Sequence, residues 1–118
     1  MSIKYFDHLP QLKTIQSEID SRFASIFQHG QFVQGPEVKK VEDVLATYLG
    51  VKNCISTSNG TDAILVALMA ADINPGDEVI TPGFSYIAAA ESIKLLGATP
   101  VYIDVNSKTY NIDTDFLA

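Results

Sequence analysis

The chain has 118 residues, of which 47% are hydrophobic and 19% charged, and it carries a formal net charge of -6. This apolar content is enough for a buried core and argues against a disordered chain. The eight Lys and Arg residues are scattered, so no nucleic-acid partner is expected, and no stretch approaches the roughly 20 apolar residues of a membrane span.

The start of the sequence and its Cys and His residues limit the compartment and the possible metal sites. Residues 1–8 lack the basic-then-apolar order of a signal peptide, so we expect a cytoplasmic protein. Cys54 is the only cysteine, which rules out an internal disulfide, and its apolar neighbours predict a packed thiol. His8 and His29 stand apart, so we expect no metal site.

The first half of the chain has the periodicity of helices. From Gln11 to Gln28 apolar residues recur at three- and four-residue steps, which predicts a helix that ends at His29-Gly30. Pro36 begins a second helix, because proline at the first helical position lacks only an N–H that would be unpaired anyway. Gly50 is expected to end that helix.

The second half alternates short extended stretches with helices. In chain order we expect a strand at Cys54–Thr57, a helix at Thr61–Ala71, a strand at Glu78–Thr81, a helix at Ile87–Leu96 and a strand at Pro100–Val105. The helix at Thr61–Ala71 is apolar on nearly every side, which predicts that it is buried. Gly97 is placed as a C-terminal cap. This alternation predicts an α/β fold with a parallel sheet.

The end of the chain predicts an interrupted element. Asp113 is a typical N-cap, yet only Thr114–Ala118 follow it. One helical turn cannot sustain itself, because nucleation is costly and little propagation offsets it. We therefore expect the sequence to stop inside an element of a longer fold.

The turn Ser58-Asn59-Gly60 connects an extended stretch to the apolar helix. Such a junction presents unpaired backbone N–H groups and the positive end of the helix dipole, which favour an anion and most often a phosphate. Alternatively Asn59 or Asp62 only caps the helix, and the local sequence leaves both interpretations open. The glycines of G-x-G-x-x-G and the sequence G-K-[ST] are missing, so a dinucleotide-binding domain is only a weak alternative.

A second candidate junction, Thr81–Ile87, follows the next strand. Phe84 and Tyr86 stand where an aromatic ring can stack on a flat ligand, although ordinary aromatic packing is the alternative for both. The segment Gly83–Tyr86 partly matches the nucleophile elbow G-x-S-x-G. Because Ile87 replaces the second glycine and no histidine follows, we do not expect a serine hydrolase.

Four blocks in a fixed order extend over most of the chain. They are GQFVQGPEV at residues 30–38, NGTDA at 59–63, GDEVITPGFSY at 76–86 and GATPVYID at 97–104. In this order they resemble the DegT/DnrJ/EryC1/StrS family of pyridoxal-phosphate-dependent sugar-nucleotide aminotransferases. The resemblance implies the N-terminal part of the type I fold of pyridoxal-phosphate enzymes, a mostly parallel sheet between helices that is incomplete in this chain.

The resemblance also implies a domain organisation and an assembly. Residues 1–35 would form an N-terminal helix and connector, and residues 36–118 would begin the large cofactor-binding domain, which is truncated here. The family pattern is a homodimer whose active sites draw residues from both subunits. The implied partners are small molecules, a UDP-linked keto-sugar and glutamate, in O-antigen or related amino-sugar biosynthesis.

Cofactor-binding and substrate-binding residues follow from the same resemblance. Gly60, Thr61 and Asp62 would hold the phosphate of pyridoxal 5'-phosphate through backbone N–H groups and the Thr61 hydroxyl. Tyr86 would stack on the pyridine ring, which leaves Phe84 a structural role. Phe32, in the connector, matches a region that approaches the sugar nucleotide in some relatives.

No catalytic residue is expected within the chain. The Schiff-base lysine and the aspartate at the pyridine nitrogen lie beyond Ala118 in the family pattern. The chain alone is therefore expected to be inactive. Two alternatives remain, a sugar dehydratase that has histidine in place of the lysine, and a non-catalytic relative that keeps the front of the fold for dimer contact or regulation.

Overall fold

A computed structural model describes residues 5–117 of the chain, so residues 1–4 of the N-terminal segment and Ala118 lie outside the described residues. The chain divides into two compact units, Met1–Ile55 and Ser56–Ala118. The domain boundary implied by the resemblance, after Gly35, falls inside the first unit. That boundary concerns the domains of a longer enzyme and stays a prediction.

The described part of the first unit contains two helices. They are α1 (Leu9–His29) and α2 (Pro36–Leu49). Helix α1 ends where Gly30, at a left-handed φ of 67°, donates its N–H to the carbonyl of Ile26 at 2.9 Å. Helix α2 has Pro36 in its first turn and ends at Gly50, also at φ 67°. Both predicted helices and both glycine ends are confirmed.

Within its described residues, the second unit contains a two-stranded parallel sheet and three helical segments. Its elements are α3 (Gly60–Ala70), β1 (Glu78–Pro82), α4 (Ala88–Leu95), β2 (Thr99–Ile103) and a 3-10 turn (Thr114–Phe116). The strands pair in parallel, with Thr81 opposite Tyr102, and α4 is the crossover between them. The α/β class predicted from the alternation of elements is confirmed.

Helix α4 contacts both α3 and the sheet. Ala88, Ala90, Ser92 and Ile93 are buried, and Ser92 is 0% exposed. Three of these four side chains are small, which lets neighbouring elements approach the helix closely. Among the described residues the Ser92 hydroxyl has no hydrogen-bond partner, so α4 carries a buried polar atom in its most tightly packed position.

Gly97 ends α4 as predicted, in the helix-ending arrangement known as the Schellman motif. Its N–H donates to the carbonyl of Lys94 at 3.0 Å, and the N–H of Ala98 donates to that of Ile93 at 3.2 Å. The φ of Gly97 is 79°, and a Cβ built there would lie 2.9 Å from Cγ of Pro75. Glycine is required here for both conformation and space.

Three of the predicted elements differ from the structure. The predicted strand Cys54–Thr57 is wrong: these residues are not in a strand, because no described strand pairs with them. Strand β2 ends at Ile103, and Val105 instead forms an isolated antiparallel bridge with Ile112. Asp113 is an N-cap as predicted, but the turn that it begins is 3-10.

The burial predicted for α3 is wrong within the described residues. None of its residues is buried, and Ile64, Val66 and Met69 are 36%, 46% and 57% exposed. The helix contacts α4 on one side, and its other apolar sides meet no other described element as extensively. A helix that is apolar all round needs neighbours on all sides, and α3 has them on one. Cys54, expected as a packed thiol, is half-buried.

Candidate functional site

The N-terminus of α3 is closed by its own side chains. Asn59 is the N-cap, with extended backbone angles, and its Oδ1 accepts the backbone N–H of Asp62 at 2.9 Å. In return the Asp62 carboxylate accepts from Nδ2 of Asn59 at 3.1 Å and from the hydroxyl of Ser58. The capping role that the sequence left open for Asn59 is therefore confirmed.

Two donors at this helix end stay available. The N–H of Ala63 donates to the backbone carbonyl of Asn59 at 3.1 Å, and the N–H of Asp62 is taken by the cap. Gly60 and Thr61 occupy the first two positions of the helix, and no described residue accepts a hydrogen bond from either N–H. These adjacent donors, together with the helix dipole, suit one anion of phosphate size.

The three residues predicted to hold a phosphate thus lie in one helical turn, but they differ in whether their backbone N–H already has an acceptor. Gly60 and Thr61 present free N–H groups, whereas Asp62 reaches an anion with its N–H only if Asn59 releases it. The Asp62 carboxylate is itself a negative charge at the same helix end, held by Asn59 and Ser58. A phosphate bound here is attracted by the donors and the dipole and repelled by that carboxylate.

The two aromatic residues after β1 have different surroundings. Phe84 lies beside Tyr110, with ring centroids 6.5 Å apart and ring planes inclined by 37°. Tyr86 is 79% exposed and has no ring neighbour among residues 5–117. Phe84 is itself 75% exposed, so the two side chains differ in having a ring neighbour and not in exposure. The stacking role of Tyr86 and the structural role of Phe84 stay predictions.

Phe32 belongs to the first unit. Its ring contacts that of Phe27 at a centroid distance of 6.1 Å and an interplanar angle of 64°, an edge-to-face arrangement. The side chain is 65% exposed. Phe32 is therefore anchored on one side by the end of α1 and open on the other, and its approach to a sugar nucleotide stays a prediction.

Sequence reasoning missed two charged residues beside Thr61. A cavity of about 470 Å³ is lined by Thr61 together with Glu91, Lys94 and Leu95 of α4. The three-residue step between Glu91 and Lys94 does place both on one face of α4. Nothing local indicates that this face lies near Thr61, because the contact joins helices that are distant in sequence.

Residues 5–117 contain neither a candidate metal cluster nor a membrane-spanning helix. Within residues 5–117 no group of three or more His, Cys, Asp or Glu side chains is arranged to hold a metal ion. Over the same residues no helix has both the length and the apolar character needed to cross a bilayer.

Comparison with known proteins gives matches over nearly the whole chain. The DegT/DnrJ/EryC1/StrS aminotransferase family matches residues 13–118. UDP-2-acetamido-2-deoxy-3-oxo-D-glucuronate aminotransferase of Pseudomonas aeruginosa is 49% identical over 98% of this chain. The chain spans about a third, 32%, of that relative's length.

Solved structures agree with the sequence match. A DegT DnrJ EryC1 StrS aminotransferase from Brucella abortus superimposes with a TM-score of 0.91 at 35% identity, over 98% of this chain and 31% of that one. NtdA from Bacillus subtilis, a structure with bound cofactor PMP, gives a TM-score of 0.83 at 36% identity over 98% of this chain and 27% of that one. The same fold thus extends over both units.

Proposed function

The chain belongs to the DegT/DnrJ/EryC1/StrS aminotransferase family, and we propose that it is the N-terminal part of a pyridoxal-phosphate-dependent sugar aminotransferase. The observation that carries this proposal is the first turn of α3, where the N–H groups of Gly60 and Thr61 have no acceptor among the described residues. Such a turn is a phosphate-binding element, and the family to which the chain belongs supplies the phosphate-bearing cofactor.

The donor set suits pyridoxal 5'-phosphate. Two backbone N–H groups and the Thr61 hydroxyl would bind the phosphate, and the N–H of Asp62 would join them once Asn59 turns away. Tyr86, whose ring face is open, would orient the flat pyridine ring by stacking. The bound cofactor supplies an electron sink for the carbon that bears the transferred nitrogen. The bound PMP of the Bacillus subtilis relative supports this choice.

The proposed reaction moves an amino group from glutamate to a keto-sugar nucleotide. The Pseudomonas relative acts, by its name, on a UDP-linked 3-oxo sugar acid, which supports a UDP-linked keto-sugar as the substrate class. Phe32 is proposed to contact the sugar nucleotide. The lysine that binds the cofactor covalently is proposed to lie outside residues 1–118, so these residues bind and orient but do not catalyse.

The domain organisation, the assembly and the biological role are proposed from membership of the same family. Residues 36–118 would begin the large cofactor-binding domain, with residues 1–35 as its N-terminal helix and connector. The enzyme would be a cytoplasmic homodimer that serves O-antigen or related polysaccharide biosynthesis. Subunits that share active sites would also place further groups beside the exposed α3.

A chimeric enzyme tests the function directly. Residues 1–118 would replace the matching third of the Pseudomonas relative, whose 49% identity makes the graft conservative. The assay is amination of UDP-2-acetamido-2-deoxy-3-oxo-D-glucuronate with glutamate as donor, followed by nucleotide chromatography. We expect turnover within tenfold of that of the parent enzyme, which corresponds to about 1.4 kcal/mol in activation free energy. We also expect the absorbance of bound cofactor.

A matched control separates folding from function. The same graft carrying Thr61→Pro loses one donor of the proposed cradle, and it is expected to fold but to retain cofactor poorly. A folded, dimeric wild-type graft that binds no cofactor would overturn the proposal. Cofactor binding without amination of the UDP-sugar would leave the fold assignment intact and reject the substrate class.

A further inference from the structure

The connector between α1 and α2, residues 30–35, has a narrowly defined backbone. Gly30 and Gln34 adopt left-handed φ angles of 67° and 52°, and Gln34 is not a glycine. At Gly35 an added Cβ would collide with the carbonyl oxygen of Gln31. A non-glycine residue is held in this region only where its surroundings fix it, so this connector is built to keep one conformation.

His29, the last residue of α1, is bonded through both ring nitrogens. Its Nδ1 accepts the backbone N–H of Gln31 at 3.0 Å, and its Nε2 lies 3.2 Å from Oε1 of Glu37 in α2. A nitrogen that accepts an N–H cannot carry a proton, so the neutral ring has its hydrogen on Nε2. That hydrogen is donated to Glu37, and the two bonds together select one tautomer.

Glu37 is suited to receive this bond. Its pKa is lowered by a hydrogen bond with its own backbone N–H, then by the bond to His29, with attraction from His29 and Arg22 adding to these. The other charges nearby are Glu18, which pairs with Arg22 at 2.9 Å, and Lys40, which lines the same groove. The carboxylate is therefore ionised at neutral pH and accepts from Nε2–H.

We propose that His29 is a positioning residue whose Nε2–H tautomer fastens the connector to the start of α2 and so fixes Phe32. The ring holds Gln31 on one side and Glu37 on the other, and Phe32 follows Gln31 directly. Phe32 is held from below by Phe27. The meaning of this device for substrate binding rests on the proposed function, but the device itself does not.

Residue-resolved hydrogen exchange of an intact enzyme with this N-terminal sequence tests this inference without any assay of activity. We expect the Gln31 amide to exchange about 3- to 10-fold more slowly than an open amide, the equivalent of one net hydrogen bond. Amides inside α1 serve as the internal reference for folding.

Two substitutions separate the two hydrogen bonds of His29. His29→Asn keeps an acceptor where Nδ1 stands, so the Gln31 amide is expected to stay protected. His29→Gln keeps a donor within reach of Glu37 but has no acceptor at the Nδ1 position, so the Gln31 amide is expected to lose its protection. His8→Gln, at the chain's only other histidine, is expected to change nothing.

The outcomes that overturn the proposal are equally specific. The bond from the Gln31 N–H to His29 does not exist if the Gln31 amide of the unsubstituted enzyme exchanges as an open amide while α1 is protected. An open α1 would also overturn the proposal. The tautomer assignment is wrong if His29→Asn and His29→Gln behave alike. Failure of the aminotransferase proposal would leave these exchange results unchanged, so the two inferences fail separately.

Discussion

Phe84 and Tyr110 lie ring against ring, 6.5 Å apart between centroids, although 26 positions separate them in the sequence. Tyr86, two residues after Phe84, has no such neighbour in the described part of the chain and is 79% exposed. The contact separates the two aromatic residues, since Phe84 has a ring neighbour that Tyr86 lacks, although their side chains are 75% and 79% exposed.

This division predicts different effects of two alanine substitutions in an intact enzyme with this N-terminal sequence. Tyr86→Ala is expected to weaken cofactor binding by about 1 kcal/mol beyond lost contact area, because a stacking face is removed. Phe84→Ala is expected to loosen the loop around Tyr110 with a smaller loss of affinity. Equilibrium dialysis at matched stability measures both, and a larger loss for Phe84→Ala would reverse the assignment.

Thr61 tests whether backbone donors hold the phosphate. Thr61→Val removes only the hydroxyl and is expected to cost about 0.5 to 1.5 kcal/mol of cofactor affinity, or up to about 3 if a charge-assisted bond dominates. Thr61→Pro removes the N–H, which has no acceptor among the described residues, and is expected to cost more. Proline is tolerated in a first helical turn, and Gly60 has no Cβ to meet its ring.

The readout for this pair is cofactor affinity measured by dialysis, with circular dichroism to confirm that α3 persists. Equal losses for valine and proline would mean that the hydroxyl, not the backbone, carries the interaction. No loss for either would remove the phosphate from this helix end altogether.

The cap of α3 gives a prediction on stability. Asn59→Ala removes the acceptor of the Asp62 N–H and is expected to lower the free energy of local opening of the first turn by about 0.5 to 2 kcal/mol. Asn59→Ser keeps a capping oxygen and is the matched control, with an expected loss of a few tenths at most. Amide exchange along α3 measures both, and an unchanged first turn in Asn59→Ala would deny the cap its role.

Gly97 and Gly50 differ in the space that is available for the Cβ of an alanine. Both have left-handed φ angles, 79° and 67°, but a Cβ at Gly50 meets nothing within 4 Å whereas one at Gly97 meets Pro75. Gly50→Ala is expected to cost about 1 to 2 kcal/mol for conformation alone. Gly97→Ala is expected to cost more, because the loop at Pro75 or the end of α4 has to move.

Local exchange at the ends of α2 and α4 compares these two variants. If both lose the same free energy of opening, Pro75 yields without cost and space is not the reason for glycine at position 97. A larger loss confined to α4, β2 and the Pro75 loop is the expected result.

Helix ends were readable from the sequence because their causes are local. The glycines at 30, 50 and 97 and the proline at 36 act through their own backbone angles, and the structure confirms each. Strand Cys54–Thr57 could not be settled in this way, since a strand exists only with a partner, and its partner is not determined by its own residues. The expected burial of α3 was wrong for the same reason.

The candidate site shows the same difference between local features and contacts that join different elements. The cap by Asn59 and the donors of Gly60 and Thr61 follow from spacing within one turn, so the sequence indicated them. The pairs Phe84 with Tyr110, and His29 with Glu37, join residues from different elements. Their geometry depends on packing that no local pattern encodes.

The isolated chain of residues 1–118 is expected neither to transaminate nor to unfold cooperatively as a monomer. Its two-stranded sheet has unpaired edges within the described residues, and Ile64, Val66 and Met69 of α3 are exposed. Open strand edges and apolar surface favour self-association. Sedimentation and thermal unfolding measure the folding half, and glutamate-dependent amination measures the catalytic half. A cooperative monomer, or turnover above that of free cofactor, would contradict the corresponding half.

The parallel pairing of β1 with β2 also delays the pairing of β1 during synthesis of the chain. An antiparallel partner can follow after a two-residue turn, but β1 waits for the whole of α4 and β2 to be made, about 20 residues later. On a ribosome that adds about 5 to 20 residues per second, this delay is about one to four seconds. During that interval the edge of β1 that pairs with β2 is without its partner.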